Sequence, residues 1–525
     1  MRKIILSFLM IVVASFCLTA QSKKYSKKEK KAFKEADSYY VYGDFNSAIQ
    51  LFRPLIKADE TYQEINYKLG DSYYQLKQYD SAAYFLELGI NFNPDAFFYL
   101  AEINLYHGDL DGSAELLGQF KTSRRPKETV INEQKVQRLE GNLKTANELL
   151  LEPEVVNIIN LGAKINTKDA EYVPLISSDE TFLVFTSRRI REGNGLAPTG
   201  KPFEDIYVSR RNSIAESWTE AKPIMGEVNT DQHDACVGLS PDGNRMFVYR
   251  SHENLLGGDL FESYYQDSSW TIPVKMSNKI NNQYSIEPSA SLSLDQRVLY
   301  FSSNREGGYG GFDIYRVILL PNGEWSLPKN LGETINTAFD DDAPFIHPDG
   351  KTLYFSSKGH KNMGGFDIFK TEKTGEESWS QPENMGYPTN TTKDDIYFTI
   401  SANEQHGYYS SDKEGGFGKH DIYLIDYLEK SLRQSVIRGK IMDSLTQKAV
   451  EADISVIELE NAELSGVYLS DRTDGEFIFL VNPNVEYELI IEAEGFEEKS
   501  AILEFSVDDL RKTQNTTFYL KSSTQ

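Results

Sequence analysis

The rhythm of apolar and polar positions changes along the 525-residue chain. Between residues 25 and 150, apolar side chains recur at helical spacing in successive pairs of segments. Between 155 and 430 they alternate in short runs bounded by Pro, Gly, Asn and Asp, the pattern of half-buried strands joined by tight turns. Short alternating runs continue from 435 to 521, without the earlier repeat. The pattern predicts a multidomain chain of helices, then a long β-region, then a smaller β-unit.

The helical stretch repeats small residues at fixed places. Gly43-Asp44-Phe45-Asn46-Ser47-Ala48 is followed by Gln78-Tyr79-Asp80-Ser81-Ala82 and by Asp109-Leu110-Asp111-Gly112-Ser113-Ala114. The alanines Ala48, Ala82 and Ala114 are expected where paired helices touch, with Tyr73, Tyr74, Phe85 and Phe98 filling the space between pairs. With Leu69-Gly70 and Pro94 in place, the segment resembles the tetratricopeptide repeat, although the usual first Trp is absent. The resemblance implies a solenoid with a peptide-binding concave face. The plainer reading is a scaffold that packs on its neighbour.

The β-region keeps a longer period. Asp205-Ile206-Tyr207, Asp259-Leu260-Phe261, Asp313-Ile314-Tyr315, Asp367-Ile368-Phe369 and Asp421-Ile422-Tyr423 stand 54 residues apart, and Trp218, Trp270, Trp325 and Trp379 keep nearly the same spacing. Each unit reads as a strand, a turn such as Ser240-Pro241-Asp242-Gly243, and an alternating strand such as Leu353-Tyr354-Phe355-Ser356-Ser357. The Asp-led strand and a Trp-containing fourth strand complete it. Four short strands, repeated, predict a β-propeller. The last unit lacks a Trp strand, so Val155 to Leu161 is expected to complete it and close the ring, leaving no open edge. Five blades follow, or six if Leu432 to Ile437 joins. The Ser-Pro-Asp-Gly turn and the Gly-Gly-x-Asp-Ile-Tyr segment resemble the WD40-like repeats of the TolB family, which implies the fold and leaves the ligand open.

In the last stretch, Val436 to Ile441, Asp443, the Asp471–Gly475 turn into Phe477, and Gly495-Phe496 resemble the carboxypeptidase-regulatory-like module. That resemblance implies a small β-sandwich of about seven strands and no peptidase activity.

Composition narrows the function. A net charge of -24 opposes binding to nucleic acid, whose phosphates demand Lys/Arg patches. Met1 to Ala20 read as a secretory signal: Arg2 and Lys3 lead an apolar run that ends at the small Ala20. Bulky Phe16 before Cys17 speaks against a lipid-anchored start. Cleavage near Ala20 leaves Cys236 as the one cysteine, without a disulfide, and no transmembrane helix in the mature chain. The expected domains are a signal peptide at 1–20, tetratricopeptide-like helices at 25–150, the propeller at 155–430 and the sandwich at 435–521.

One constellation goes beyond fold. Glu171, Asp234, Glu287, Asp341 and Asp395 each precede the turn position of their unit by eight residues. On innermost strands they could form an acidic ring at the channel mouth, for a cation or a partner's Lys/Arg. The plainer reading is that each carboxylate caps backbone N–H groups. Asp205, Asp259, Asp313, Asp367 and Asp421 read as structural, bonding their glycine turns, and the four tryptophans as packing anchors. Arg188, Arg189 and Arg191, with the loop to Pro202, form the longest insertion, where binding is readily added. The scattered histidines (His107, His233, His252, His347, His360, His406 and His420) form no metal-ligand pair, and no nucleophile elbow or phosphate loop occurs. No catalytic residues, metal or cofactor are expected.

The order of signal, tetratricopeptide helices, propeller and sandwich resembles envelope proteins of the OmpA family in Gram-negative bacteria with type IX secretion and gliding motility. In that family an OmpA-like peptidoglycan-binding domain usually follows, whereas this sequence stops at Gln525, so peptidoglycan binding is not expected. The resemblance implies a non-enzymatic periplasmic scaffold associated with the outer membrane, whose partners are outer-membrane or periplasmic proteins. The alternative is a periplasmic ligand- or carbohydrate-binding sensor using the propeller mouth.

Overall fold

The computed structural model describes residues 26–56, 62–125, 129–177, 180–197, 200–213, 216–255, 257–428, 435–506 and 515–523. The signal-peptide reading on Met1 to Ala20, and Leu432 in the sixth-blade alternative, lie outside them. The chain divides into two compact units, Met1–Asn104 with Asp111–Glu133, and Leu105–Leu110 with Gln134–Gln525.

The first unit is built of helices α1 (Lys27–Val41), α2 (Phe45–Phe52), α3 (Gln63–Gln75), α4 (Tyr79–Gly89), α5 (Asp95–Tyr106) and α6 (Leu110–Ser123). Ser26 starts α1 with a capping box, exchanging hydrogen bonds with Glu29. Ala48 and Ala82 are fully buried where helices meet. Close approach also explains Gly89, because a Cβ there would stand 2.4 Å from the Tyr67 backbone nitrogen. The third pair departs from the expected register. Ala114 is exposed, and Ser113 takes the inner place, its hydroxyl donating to the Ala101 carbonyl at 2.7 Å. Tyr73 stacks on Phe85 and Phe98 meets Phe120 edge-on, each inside one helix pair rather than between pairs, where Tyr74 lies 4.6 Å from Tyr99.

The second unit opens with α7 (Glu133–Leu151), whose Asn142 donates to the Gly364 carbonyl at 2.9 Å. Five sheets follow. The first runs Glu171–Ile176, Phe182–Ser187, Asp205–Arg210 and Lys222–Pro223; the second begins at Asp234–Leu239, the third at Ala290–Leu292, the fourth at Asp341–Ile346 and the fifth at Asp395–Ile400. Neighbouring sheets touch in sequence, and the fifth touches the first, so they close into a ring. Asn157–Asn160 pairs antiparallel with Asp421–Asp426 and supplies the outer strand of the fifth sheet. The protein is therefore a helical repeat followed by a five-bladed propeller. Ile437, which the sixth-blade alternative required, lies instead in Ser435–Asp443, paired with Glu476–Val481 and Asn515–Leu520.

The fourth strands are not where the tryptophans stand. They are two-residue pairings such as Lys329–Asn330 and Glu383–Asn384, a few residues later. Trp325 and Trp379 bridge back to Leu319 and Lys373, and Trp270 lies in the short Ser269–Trp270 strand. All four rings are buried, because the sheet face is where so large an apolar side chain can leave water. Four of the five innermost strands carry a bulge, and in three of them a non-glycine residue (Val173, Ala343 or Tyr397) has positive φ.

Seven strands make two further sheets, one of three strands and one of four, around a shared core that includes Ile441, Ile454, Phe479 and Leu489.

Candidate functional site

Glu171, Asp234, Glu287, Asp341 and Asp395 occupy equivalent places at the entry to the innermost strands, and all five are 0% exposed. Thr167 donates its backbone N–H and hydroxyl to Glu171 at 2.7 and 2.9 Å. Thr230 does the same for Asp234, Thr337 for Asp341 and Thr391 for Asp395. Glu287 takes the Ser285 hydroxyl at 2.6 Å instead. From the second strand, Ser187, Ser303 and Ser357 donate to Glu171, Glu287 and Asp341. These contacts lie within each sheet and the turn that enters it.

The cations complete the arrangement in only three sheets. Arg189, Arg250 and Arg305 pair with Glu171, Asp234 and Glu287 at 3.2, 2.5 and 3.3 Å. Each guanidinium also donates to a carbonyl of the preceding connection, at Ile165, Val228 and Ile280. In the fourth sheet His360 takes that place and bonds the Ile335 carbonyl at 2.8 Å; in the fifth, Lys413 donates to the Pro388 carbonyl at 3.2 Å. Without an arginine, burial pushes the Asp341 carboxyl up to about 7, and burial raises Asp395 as well. Among the described residues, no three acidic, imidazole or thiol groups are gathered as a metal site requires.

The Asp-led strands also divide, but along a different line, between the second and third sheets. Asp313 accepts from the Tyr309 and Gly310 N–H groups, Asp367 from Met363 and Asp421 from Phe417 and Gly418. Asp205 and Asp259 turn to cations instead: Asp205 to Arg191 at 2.9 Å, and Asp259 to His252 and Lys275 at 2.9 and 2.7 Å. The first sheet's insertion brings Arg191 within reach, the second sheet's altered turn brings His252, and its outer strand Val274–Lys275 brings Lys275.

Two arrangements have roles that the sequence did not reveal, although the first recurs there as a connection motif at residues 162–167 and 332–337. An asparagine in the connection after each sheet, as in Gly332-Glu333-Thr334-Ile335-Asn336-Thr337, clamps the preceding sheet. Asn336 accepts from the Ile314 N–H at 2.7 Å and donates to the Ile314 carbonyl at 3.0 Å, and Asn229, Asn281 and Asn390 repeat this on Ile206, Leu260 and Ile368. Asn166 performs it on Ile422, joining the start of the β-region to its last sheet.

The second arrangement surrounds Glu204. Its carboxylate receives Arg188 at 2.5 Å, lies 3.2 Å from His233 Nδ1 and accepts the Tyr172 hydroxyl. Burial would raise its pKa, but the bond from His233 and the charge of Arg188 hold it below the ordinary Glu value. Tyr172 in turn stacks beside Tyr397 of the neighbouring fifth sheet, centroids 6.0 Å apart. The signal was a break in the repeat: Glu204 stands where Phe312, Phe366 and His420 precede their aspartates.

Residues 42–102 match the tetratricopeptide repeat family. No curated protein matches the chain. Among solved structures, a putative TolB from Agrobacterium tumefaciens is 15% identical over 62% of this chain and 97% of its own, with a TM-score of 0.31. A glycoside hydrolase is 6% identical over 54% and 94%, with a TM-score of 0.37. An α-L-arabinofuranosidase from Lactobacillus brevis is 12% identical over 49% and 90%, with a TM-score of 0.31. At these scores the five-bladed ring is established by its own strand pairings.

Proposed function

We propose that this protein is a non-enzymatic periplasmic scaffold associated with the outer membrane, binding envelope proteins of a type IX secretion or gliding machinery. In this reading 1–20 is a cleaved signal, 25–150 the tetratricopeptide-like region, 155–430 the propeller and 435–521 a carboxypeptidase-regulatory-like module. The observation that carries it is the union, in one chain, of repeat helices matched at 42–102 with a propeller whose repeated carboxylates are engaged in internal bonds. Repeat helices present surface for peptides, and an internally bonded propeller offers rigid faces rather than a reaction centre. Among the described residues, no helix is long and apolar enough to cross a membrane, which accords with association through protein contacts.

A second reading, a ligand- or carbohydrate-binding sensor, draws on a cavity of about 80 Å³ on the ring axis, lined by Val173, Leu239, Ala290, Phe345 and Tyr397. Purification of the tagged mature protein from its own envelope in mild detergent, followed by mass spectrometry, separates the two. Co-recovery of an outer-membrane barrel or a secretion component is expected. Recovery alone, in the soluble periplasmic fraction, would overturn the scaffold in favour of the sensor.

A further inference from the structure

The first sheet's insertion is rich in cations within an acidic protein. It carries Arg188, Arg189, Arg191 and Lys201 against the single acid Glu192, while the whole chain has a net charge of -24. The three arginines are spoken for, by Glu204, Glu171 and Asp205. Lys201 enters no ion pair among the described residues, and neither does Lys419 on the fifth sheet's loop.

The backbone brings the two loops together. Arg188 donates its N–H to the Ala170 carbonyl at 2.9 Å, and Lys419 donates to the adjacent Asp169 carbonyl at 3.0 Å. The Arg188 guanidinium also reaches the carbonyl of Pro202, next to Lys201, at 3.3 Å. Partial burial first, and then the charges of Lys419 and Arg188, hold the Lys201 ammonium below the ordinary lysine range. The carboxylates nearest in sequence are engaged elsewhere: Glu204, three residues after Lys201, takes Arg188, and Asp421, two after Lys419, takes the N–H groups of Phe417 and Gly418. Two ammonium groups held beside Arg188 with no carboxylate of their own cost free energy that an incoming anion would recover.

The same loops expose apolar side chains. Ile190 is 66% exposed, Leu196 56% and Phe417 51%. Leu196 bridges to Pro202 beside Lys201, and Phe417 stands two residues before Lys419. Single exposed apolar residues are ordinary, but a group of them beside unpaired cations has the make-up of a contact surface.

We infer that these two loops dock an acidic segment of a partner protein, with Lys201 and Lys419 receiving its carboxylates and Ile190, Leu196 and Phe417 its apolar side chains. A sugar chain is disfavoured, because two of the three apolar groups are aliphatic and offer no flat face for stacking on a pyranose. The inference rests on the scaffold reading and names one of its surfaces.

The test is selection from an unbiased peptide library on the immobilised full-length mature protein. Peptides combining Asp or Glu with Leu, Ile or Phe are expected. Their affinity should fall with added salt and drop roughly tenfold or more on Lys201→Glu/Lys419→Glu, two exposed sites whose reversal leaves the fold intact. Lys201→Gln/Lys419→Gln should give a smaller loss, and Leu196→Ser/Phe417→Ser a loss that does not depend on salt. An empty selection, or binders indifferent to both lysines, overturns the inference. So does lysine-dependent binding of oligogalacturonate in place of any peptide, which would make the partner an acidic glycan. If envelope partners still co-purify with the lysine variant, this surface fails and the scaffold stands; if none co-purify with the wild type, the scaffold itself fails.

Discussion

Arg211 of the first sheet donates to the Tyr408 hydroxyl of the fifth at 3.0 Å, across the seam where the ring closes. Both are anchored by buried Glu180, which accepts from Tyr408 at 2.6 Å and from the guanidinium at 3.4 Å. The guanidinium also lies over the Trp218 ring, 4.3 Å from its centroid. Arg211→Ala leaves the buried carboxylate with Tyr408 and His406 alone and is expected to cost up to about 3–5 kcal/mol. Tyr408→Phe, which removes the hydroxyl's bonds to both Glu180 and Arg211 but leaves the ion pair, should cost about 1.5–3 kcal/mol. Urea unfolding of the two variants measures both, and equal effects would mean that the cluster does not act through Glu180.

The asparagine clamps give a second expectation. Asn166→Ala leaves the buried N–H and carbonyl of Ile422 without their side-chain partner, at about 1–3 kcal/mol for each group. Asn336→Ala removes the same bonds from Ile314 within continuous chain. Hydrogen exchange should therefore show the fifth sheet opening early in Asn166→Ala, because only there does the clamp join the two ends of the ring. In Asn336→Ala the loss should stay local to the third sheet.

Asp341 makes stability depend on pH. Its folded carboxyl keeps its proton to about pH 7, whereas the ordinary value is 3.8. Unfolding then releases a proton between those values, so stability falls as pH rises from about 4 to about 7 and levels off above. The contribution is at most about 4 kcal/mol. Asp341→Asn should flatten that slope and be no less stable than wild type at pH 8. Glu171→Gln should destabilise at pH 8, since it breaks the pair with Arg189. Urea midpoints at pH 4.5, 6 and 8 decide the matter.

Cys236 offers a probe of the ring. Burial pushes its thiol up to about 12, and the side chain is fully enclosed beside Thr186. The native protein should react with a thiol reagent only as fast as the first and second sheets separate. Fast labelling of folded protein would mean that this seam opens readily.

The repeat made much of the architecture legible in the sequence. A 54-residue period with alternating strands specifies the blades, and a missing fourth strand in the last unit points to Val155–Leu161, because an unpaired edge is unfavourable. Small residues in the helices pointed to the close contacts at Ala48 and Ala82, since only small side chains fit there. The tryptophans misled in position, because a ring can be buried from a connecting segment as well as from a strand.

Partners distant in sequence were decided by the tertiary structure alone. The sequence marks Glu171 and Asp341 as equivalent, yet one faces Arg189 and the other has no arginine, so their electrostatics diverge. Glu204, Tyr172 and Tyr397 converge only because the ring brings the first and fifth sheets side by side. Local periodicity sets which residues share a strand or helix face, and short-range sterics suffice for that. Which charges meet across the seam, as Glu180 meets Tyr408 and His406, depends on closure over hundreds of residues, and no local pattern encodes it.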